Sequence, residues 1–297
     1  SSSSSSSNNN NTNSSDPKAL QHIGSSALLT PSSQFPLAEL LCTAASSLGD
    51  QQGPSLIRWI ATLFHCYEAL IPFVMHFIRA EIRNMQNPDT MLRGNTSATK
   101  TLSIALTDLL GAEFLATAVL PVIEKVYSDY AARPIEIDPN RNPQPGRNHL
   151  AELDALAQDL MDNVLLLEST VPLWLRRLLA AVDLEAKQRF PQLDKPVGRS
   201  VFFLRFICPV VVTPTRRFQH MGTPSPAAQR TLVLLSKVLQ TVANSVPFDG
   251  QKEEFMTPLN AFFTRNHDRY CKMYARLVDV SSLGNDSSVA HSLQSAS

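Results

Sequence analysis

The sequence predicts an all-α fold, a single multi-helix body between disordered ends. Two observations carry that prediction. Apolar residues recur at steps of three and four over long stretches, which places them on one face of a helix. Only 10 glycines occur in 297 residues, and no clear run alternates apolar with polar, which argues against a sheet. A third observation divides the body. Prolines gather in a few short stretches, where helices must stop.

At the start of the chain, residues 1–34 open with Ser1 to Ser7 and Asn8 to Asn11 and hold too few large apolar groups to order themselves. They have neither the basic start nor the apolar stretch of a signal peptide, and the absent initiator methionine suggests a fragment of a longer protein. Residues 35–280 are read as the helical domain. Within it, residues 86–97 contain Pro88 and Gly94 and form a loop leading into a helix. Gly94 is expected to take a positive φ, and Asn95, Thr96 or Ser97 to cap the helix. That helix carries the stripe Leu102, Leu106, Leu109 and Leu110.

Residues 133–147, with Pro134, Pro139, Pro143 and Pro145, form a long connector. The next stripe is Leu153, Leu156, Leu160, Val164 and Leu167. In the apolar run Val201 to Val212, Pro209 is expected to kink or end a helix. A further connector spans 213–226, after which Ser225-Pro226 reads as N-cap and first helical residue. The last stripe is Leu232, Leu235, Leu239, Val242 and Val246. Residues 281–297 are a Ser-rich disordered tail.

Composition excludes several function classes. A net charge of zero argues against bulk nucleic-acid binding. No apolar run reaches transmembrane length. The cysteines Cys42, Cys66, Cys208 and Cys271 and the histidines are scattered without metal-ligand spacing, so free thiols in a reducing compartment and no metal site are expected. No G-x-x-x-x-G-K-[ST] phosphate loop occurs. Charge is uneven, however: from Lys195 to Phe248 every charged residue is basic. Either the acidic partners lie elsewhere in the chain, or this is a face for an acidic protein.

Two motifs carry chemistry. Thr90-Met91-Leu92-Arg93-Gly94-Asn95-Thr96 and Phe203-Leu204-Arg205-Phe206-Ile207-Cys208-Pro209 each set one arginine among apolar or small residues. A guanidinium is always charged, so its head needs an anion or carbonyls. Taken alone, Arg93 reads as an exposed loop arginine and Arg205 as a structural arginine bonded to carbonyls.

These blocks resemble the GTPase-activating domain of the Ras-GAP family, which includes neurofibromin, over roughly residues 55–280. The first resembles the family's finger loop, with Ala98 and Lys100 also fitting. The second, closed by Pro214, resembles its signature block. Ser236-Lys237-Val238-Leu239-Gln240-Thr241-Val242-Ala243-Asn244 resembles a third, and Ile135-Glu136-Ile137-Asp138-Pro139 a weaker fourth. Leu92 stands where the family often has Phe, and Val210 where it usually has Ala, swaps that touch packing more than mechanism.

The resemblance implies an activator of GTP-bound Ras-type GTPases, Ras or Rap. It would supply a catalytic arginine without itself being a hydrolase. Arg93 would be the arginine finger and Arg205 the stabiliser of its loop. Leu92, Gly94, Asn95, Thr96, Leu204, Lys237, Gln240, Asn244 and Lys252 would touch the GTPase or support that surface, and Phe203 and Pro209 would be structural. The domain would need no cofactor of its own, since GTP and magnesium belong to the partner. It would be cytoplasmic, with recruitment to the inner face of the plasma membrane left to regions outside this chain. The alternative is a non-catalytic scaffold of the same fold that binds Ras-family proteins.

Overall fold

The computed structural model describes residues 35–48, 52–141, 148–251 and 253–279, and among these residues it is helical without strands. The expectations for residues 1–34 and 281–297, and the role given to Lys252, lie outside the described residues. The helices are α1 (Pro36–Ser47), α2 (Gln52–Cys66), α3 (Leu70–Asn84), α4 (Ser97–Ser103), α5 (Ala112–Ala118), α6 (Leu120–Asp129), α7 (His149–Leu166), α8 (Leu173–Arg189), α9 (Val197–Val201), α10 (Cys208–Val212), α11 (Pro226–Asn244) and α12 (Asn260–Leu277). Two π-helical segments, Ile104–Leu110 and Phe202–Ile207, join α4 to α5 and α9 to α10.

Helix α11 is the hub. It packs on α6, α7, α10, α12 and the second π segment, and its stripe residues Leu232, Leu235, Leu239 and Val242 are buried. Ser225 caps it by accepting from Ala228 N, with Pro226 as its first residue. Its far end departs from expectation. Asn244 is the last helical residue and Ser245 turns into the left-handed region at φ 55°. That turn takes Val246 off the helical face, and it is 56% exposed rather than core. In the other stripes Leu102, Leu106, Leu153, Leu156, Leu160 and Val164 are buried. Leu109, Leu110 and Leu167 only pack against the edge of the core.

Pro209 does interrupt its helix, and the π segment is how. A proline cannot donate to a carbonyl one turn upstream, and its ring crowds that carbonyl. Regular α-helix ends at Val201, the chain widens through Phe202–Ile207, and α-helix resumes at Cys208 with Pro209 in its first turn. Widened turns of this kind gather at functional sites. Here Phe202, Phe203 and Phe206 are fully buried. Phe206 stacks on Phe114 at 5.7 Å and Phe203 meets Tyr270 edge-on at 4.8 Å. Behind them the two π segments touch. Gly111 closes the first, and a Cβ there would stand 2.2 Å from the Phe206 ring. Phe203 is thus part of the core and Pro209 stands in the first turn of α10.

Candidate functional site: a braced loop and its exposed arginine

The loop before α4 is built from local signals. Asn87 accepts from Asp89 N, Pro88 starts a short 3-10 turn, and the chain then reaches Thr96. Thr96 and Thr99 form a reciprocal cap: the Thr96 hydroxyl accepts from Thr99 N and the Thr99 hydroxyl from Thr96 N. Of the three capping candidates, Thr96 is the one used. Its hydroxyl also donates to the Glu81 carboxylate of α3.

The left-handed residue of the loop is not Gly94. It is Leu92, at φ 54°. An L-residue with a Cβ costs roughly 1–2 kcal/mol in that region, so something must hold it there. Two things do. The Leu92 side chain is 1% exposed and belongs to the core, and its carbonyl accepts from Arg205 Nε at 2.8 Å. The expectation that Leu92 faces a partner is corrected accordingly: burial of Met91 and Leu92 anchors the loop and leaves only the next residues outside. The Gly94 carbonyl accepts from Arg205 Nη2 at 2.8 Å and lies 2.8 Å from the Thr99 hydroxyl.

Arg205 therefore spans the loop, bonding the carbonyl on each side of Arg93. Bonds from a charged donor contribute about 1.5–3 kcal/mol each. Burial pulls the Arg205 guanidinium below its ordinary range and the nearby Glu81 charge pushes back, but an arginine stays charged regardless. Arg93 is the opposite case. Its backbone N donates to Thr90 O, while its exposed side chain makes no ion pair or hydrogen bond among the described residues. Asn95 and Thr96 are exposed beside it.

The remaining candidates lie on neighbouring elements. Leu204 is half-buried against the core next to Arg205. Lys237, Gln240 and Asn244 run along α11, which packs on the π segment holding Arg205. Gln240 donates to the Ser236 hydroxyl at 3.1 Å, and Asn244 Oδ1 is buried with no hydrogen-bond partner. Lys237 is ion-paired with Glu253.

That pair is one instance of a general answer about the basic run from Lys195 to Phe248. Arg216, Arg230 and Lys237 meet carboxylates from outside the run. Arg230 is bidentate on Glu136 at 2.7 and 2.8 Å. Burial pushes the Glu136 carboxyl up, but the Arg230 hydrogen bonds and charge bring it below its ordinary value. Arg216 grips Asp108 at 3.0 and 3.2 Å, and Arg58 reaches the same carboxylate at 2.7 Å. Glu81 and Thr99 support the loop and were not singled out in the sequence; Glu81 acts from α3 across a distance in the chain that periodicity does not register. The Thr96-x-x-Thr99 spacing was the one available signal.

Residues 144–244 match the family model described as GTPase-activator protein for Ras-like GTPase. Among curated proteins, the chain is 30% identical over 191 residues to the probable Ras GTPase-activating-like protein ngap of Dictyostelium discoideum, covering 63% of this chain and 21% of that one. It is 28% identical over 248 residues to Neurofibromin-A of the same organism, covering 76% of this chain and 26% of that protein. To the Ras GTPase-activating protein gap-2 of Caenorhabditis elegans it is 29% identical over 218 residues, covering 71% and 18%. The chain thus corresponds to a minor part of each relative's length.

Proposed function

We propose that the chain, which matches the model for GTPase-activator proteins of Ras-like GTPases over residues 144–244 and resembles curated Ras GTPase-activating proteins, binds GTP-loaded Ras-type small GTPases and accelerates their GTP hydrolysis by offering Arg93 in trans. One observation carries this reading: an exposed guanidinium stands on a loop whose carbonyls on either side, at Leu92 and Gly94, are both bonded by Arg205.

The chemistry fits that arrangement. Phosphoryl transfer spreads negative charge over the transferring group and the leaving oxygen, and catalysis consists of positioning plus charge stabilisation. GTP and magnesium are held by the partner. Arg93 adds a positive charge that becomes useful only as negative charge develops, so it acts on the transition state more than on binding. A cation on a loose loop would lose conformational entropy on docking. Arg205, Thr99 and the buried Leu92 restrict the backbone beforehand. Asn95, Thr96 and the exposed parts of Lys237 and Gln240 are the residues assigned to contact with the GTPase. Arg205 is a positioning residue in this scheme.

The test is single-turnover GTP hydrolysis by a panel of Ras and Rap proteins, with the wild-type domain and Arg93→Ala. Stimulation that collapses in the variant, with affinity for the GTP-bound form kept, is the expected result. Binding without any stimulation by the wild type would favour the scaffold reading instead.

A further inference from the structure

A second polar cluster lies away from the loop, where α9, α11 and α12 meet. Helix α12 sets His267 and Cys271 one turn apart on the same side. The left-handed Ser245, which ends α11, brings its hydroxyl between Arg199 of α9 and His267: Arg199 Nη2 donates to Ser245 Oγ at 2.6 Å, and His267 Nε2 lies 2.9 Å from the same oxygen. Arg199 Nη1 donates to Cys271 Sγ at 2.8 Å, and His267 Nε2 is 3.6 Å from the sulfur.

We propose that Cys271 is an oxidation site: its thiol reacts with hydroperoxides, and the resulting sulfenate is held by Arg199, Ser245 and His267. The inference does not depend on the GTPase reading.

The electrostatics of Arg199 carry it. The residue is only 9% exposed; the Asp183 carboxylate acts on it through charge but takes its hydrogen bonds from Gly198 N and the Tyr274 hydroxyl instead, and its buried Nε has no partner. A buried cation normally has an anion to face. An oxidised sulfur is such an anion, and it would form where two of the guanidinium's nitrogens and a hydroxyl already converge. Cys271 is partly exposed, so a small peroxide can reach it, and partly exposed thiols in electropositive surroundings are the ones that react.

The other cysteines provide the contrast. Cys42 and Cys208 are buried, and burial pushes each thiol up to about 12. Cys66 is exposed but lacks any hydrogen bond or ion pair among the described residues.

The reaction balances with the peroxide as oxidant. The thiol gives its proton to His267, which burial and the Arg199 and Lys195 charges hold below the usual histidine range and hence neutral at pH 7. The sulfur then attacks one oxygen of hydrogen peroxide, the S–O bond forms as the O–O bond breaks, and the departing hydroxide takes the proton from His267 to leave water and a sulfenic acid, which gives its O–H proton to solvent to become the sulfenate facing Arg199. Sulfur is oxidised by two electrons and the peroxide is reduced.

The experiment exposes the full chain to dilute hydrogen peroxide with dimedone present and follows adducts at each cysteine by peptide mass spectrometry. Cys66 serves as the internal standard in every sample. Cys271 is expected to be trapped roughly tenfold faster than Cys66, and Ser245→Ala and His267→Gln, checked for folding by circular dichroism, are expected to bring it down toward the Cys66 rate. Trapping of Cys271 no faster than Cys66 would overturn the proposal. So would fast trapping that survives unchanged in both variants, since the cluster would then have no part in it.

Discussion

The loop at residues 90–96 and the segment from α9 to α10 are held in opposite ways. Residues 93–96 are exposed, and what fixes them is attached from below: a reciprocal threonine cap, the buried Leu92 and two bonds from Arg205. The segment from α9 to α10 is fixed by its own burial, with three phenylalanines in the core. One arginine from each region meets at the same backbone. Arg205 spends its donors on carbonyls so that Arg93 need spend none. The difference teaches that an exposed cation can be positioned through its backbone, leaving its side chain without a bond among the described residues.

Five variants would break or sharpen that comparison. The largest effect is expected for Arg93→Ala: most of the stimulation of GTP hydrolysis should vanish, about 10³–10⁵-fold, a magnitude carried over from arginine fingers as a class. Thermal stability should be unchanged, because the side chain makes no bond among the described residues. Single-turnover rates and a melting curve check both halves.

Next comes the anchor at the start of the signature segment. Asp183 of α8 accepts from Gly198 N at 2.7 Å and from the Tyr274 hydroxyl at 2.5 Å. Burial pushes its carboxyl up to about 6, against the opposing pull of those hydrogen bonds. The folded state therefore binds this proton more tightly than the unfolded chain, whose value is near 3.9. Stability should fall as pH rises from about 4 to about 6, by roughly 3 kcal/mol from this group. Denaturant titrations across that window should show the slope, and Asp183→Asn should flatten it.

Arg205→Ala comes third. It frees the carbonyls of Leu92 and Gly94, so the loop loses its brace while keeping its finger. Stimulation should drop roughly ten- to a hundredfold, as expected for a misplaced catalytic group, which is less than for Arg93→Ala. An equal or larger loss in the same rate assay would contradict the division between the two arginines.

Gly111→Ala strikes the packing behind both regions, where an added Cβ meets the Phe206 ring and the Leu106 carbonyl. Overpacking of this kind costs about 1–3 kcal/mol. A shift of the urea midpoint reads it.

Lys237→Gln should do least. Its charge is already shared with Glu253, so affinity for the GTPase should fall by no more than about 1 kcal/mol. The loss should shrink as salt rises. Binding titrations at two ionic strengths test this.

Much of the architecture was legible in the chain. Local signals suffice where the cause is local: the stripes of α7 as far as Val164 and of α11 as far as Val242, the Ser225-Pro226 start of α11 and the break forced by Pro209 all stand where the sequence puts them. The two arginine blocks could be read because their residue types are unusual in their settings. Misreadings arose where the deciding contact is remote. Gly94 looked like the residue for a positive φ, yet Leu92 takes it, because core burial and an arginine 113 positions away stabilise that strain. The basic run looked unopposed because Asp108, Glu136 and Glu253 lie outside it.

By itself, then, the sequence determined an all-helical body, three helical stripes within it, the start at Ser225-Pro226, the break at Pro209, and which arginines stand apart from the core pattern. These properties come from periodicity, capping and proline chemistry within a few residues. Only the tertiary structure decided that Arg205 reaches the loop carbonyls, that the Arg93 side chain stays exposed beside them, and that Arg199, Ser245, His267 and Cys271 meet. Those are pairings between helices far apart in the chain. They depend on how the buried faces pack, which no local pattern encodes.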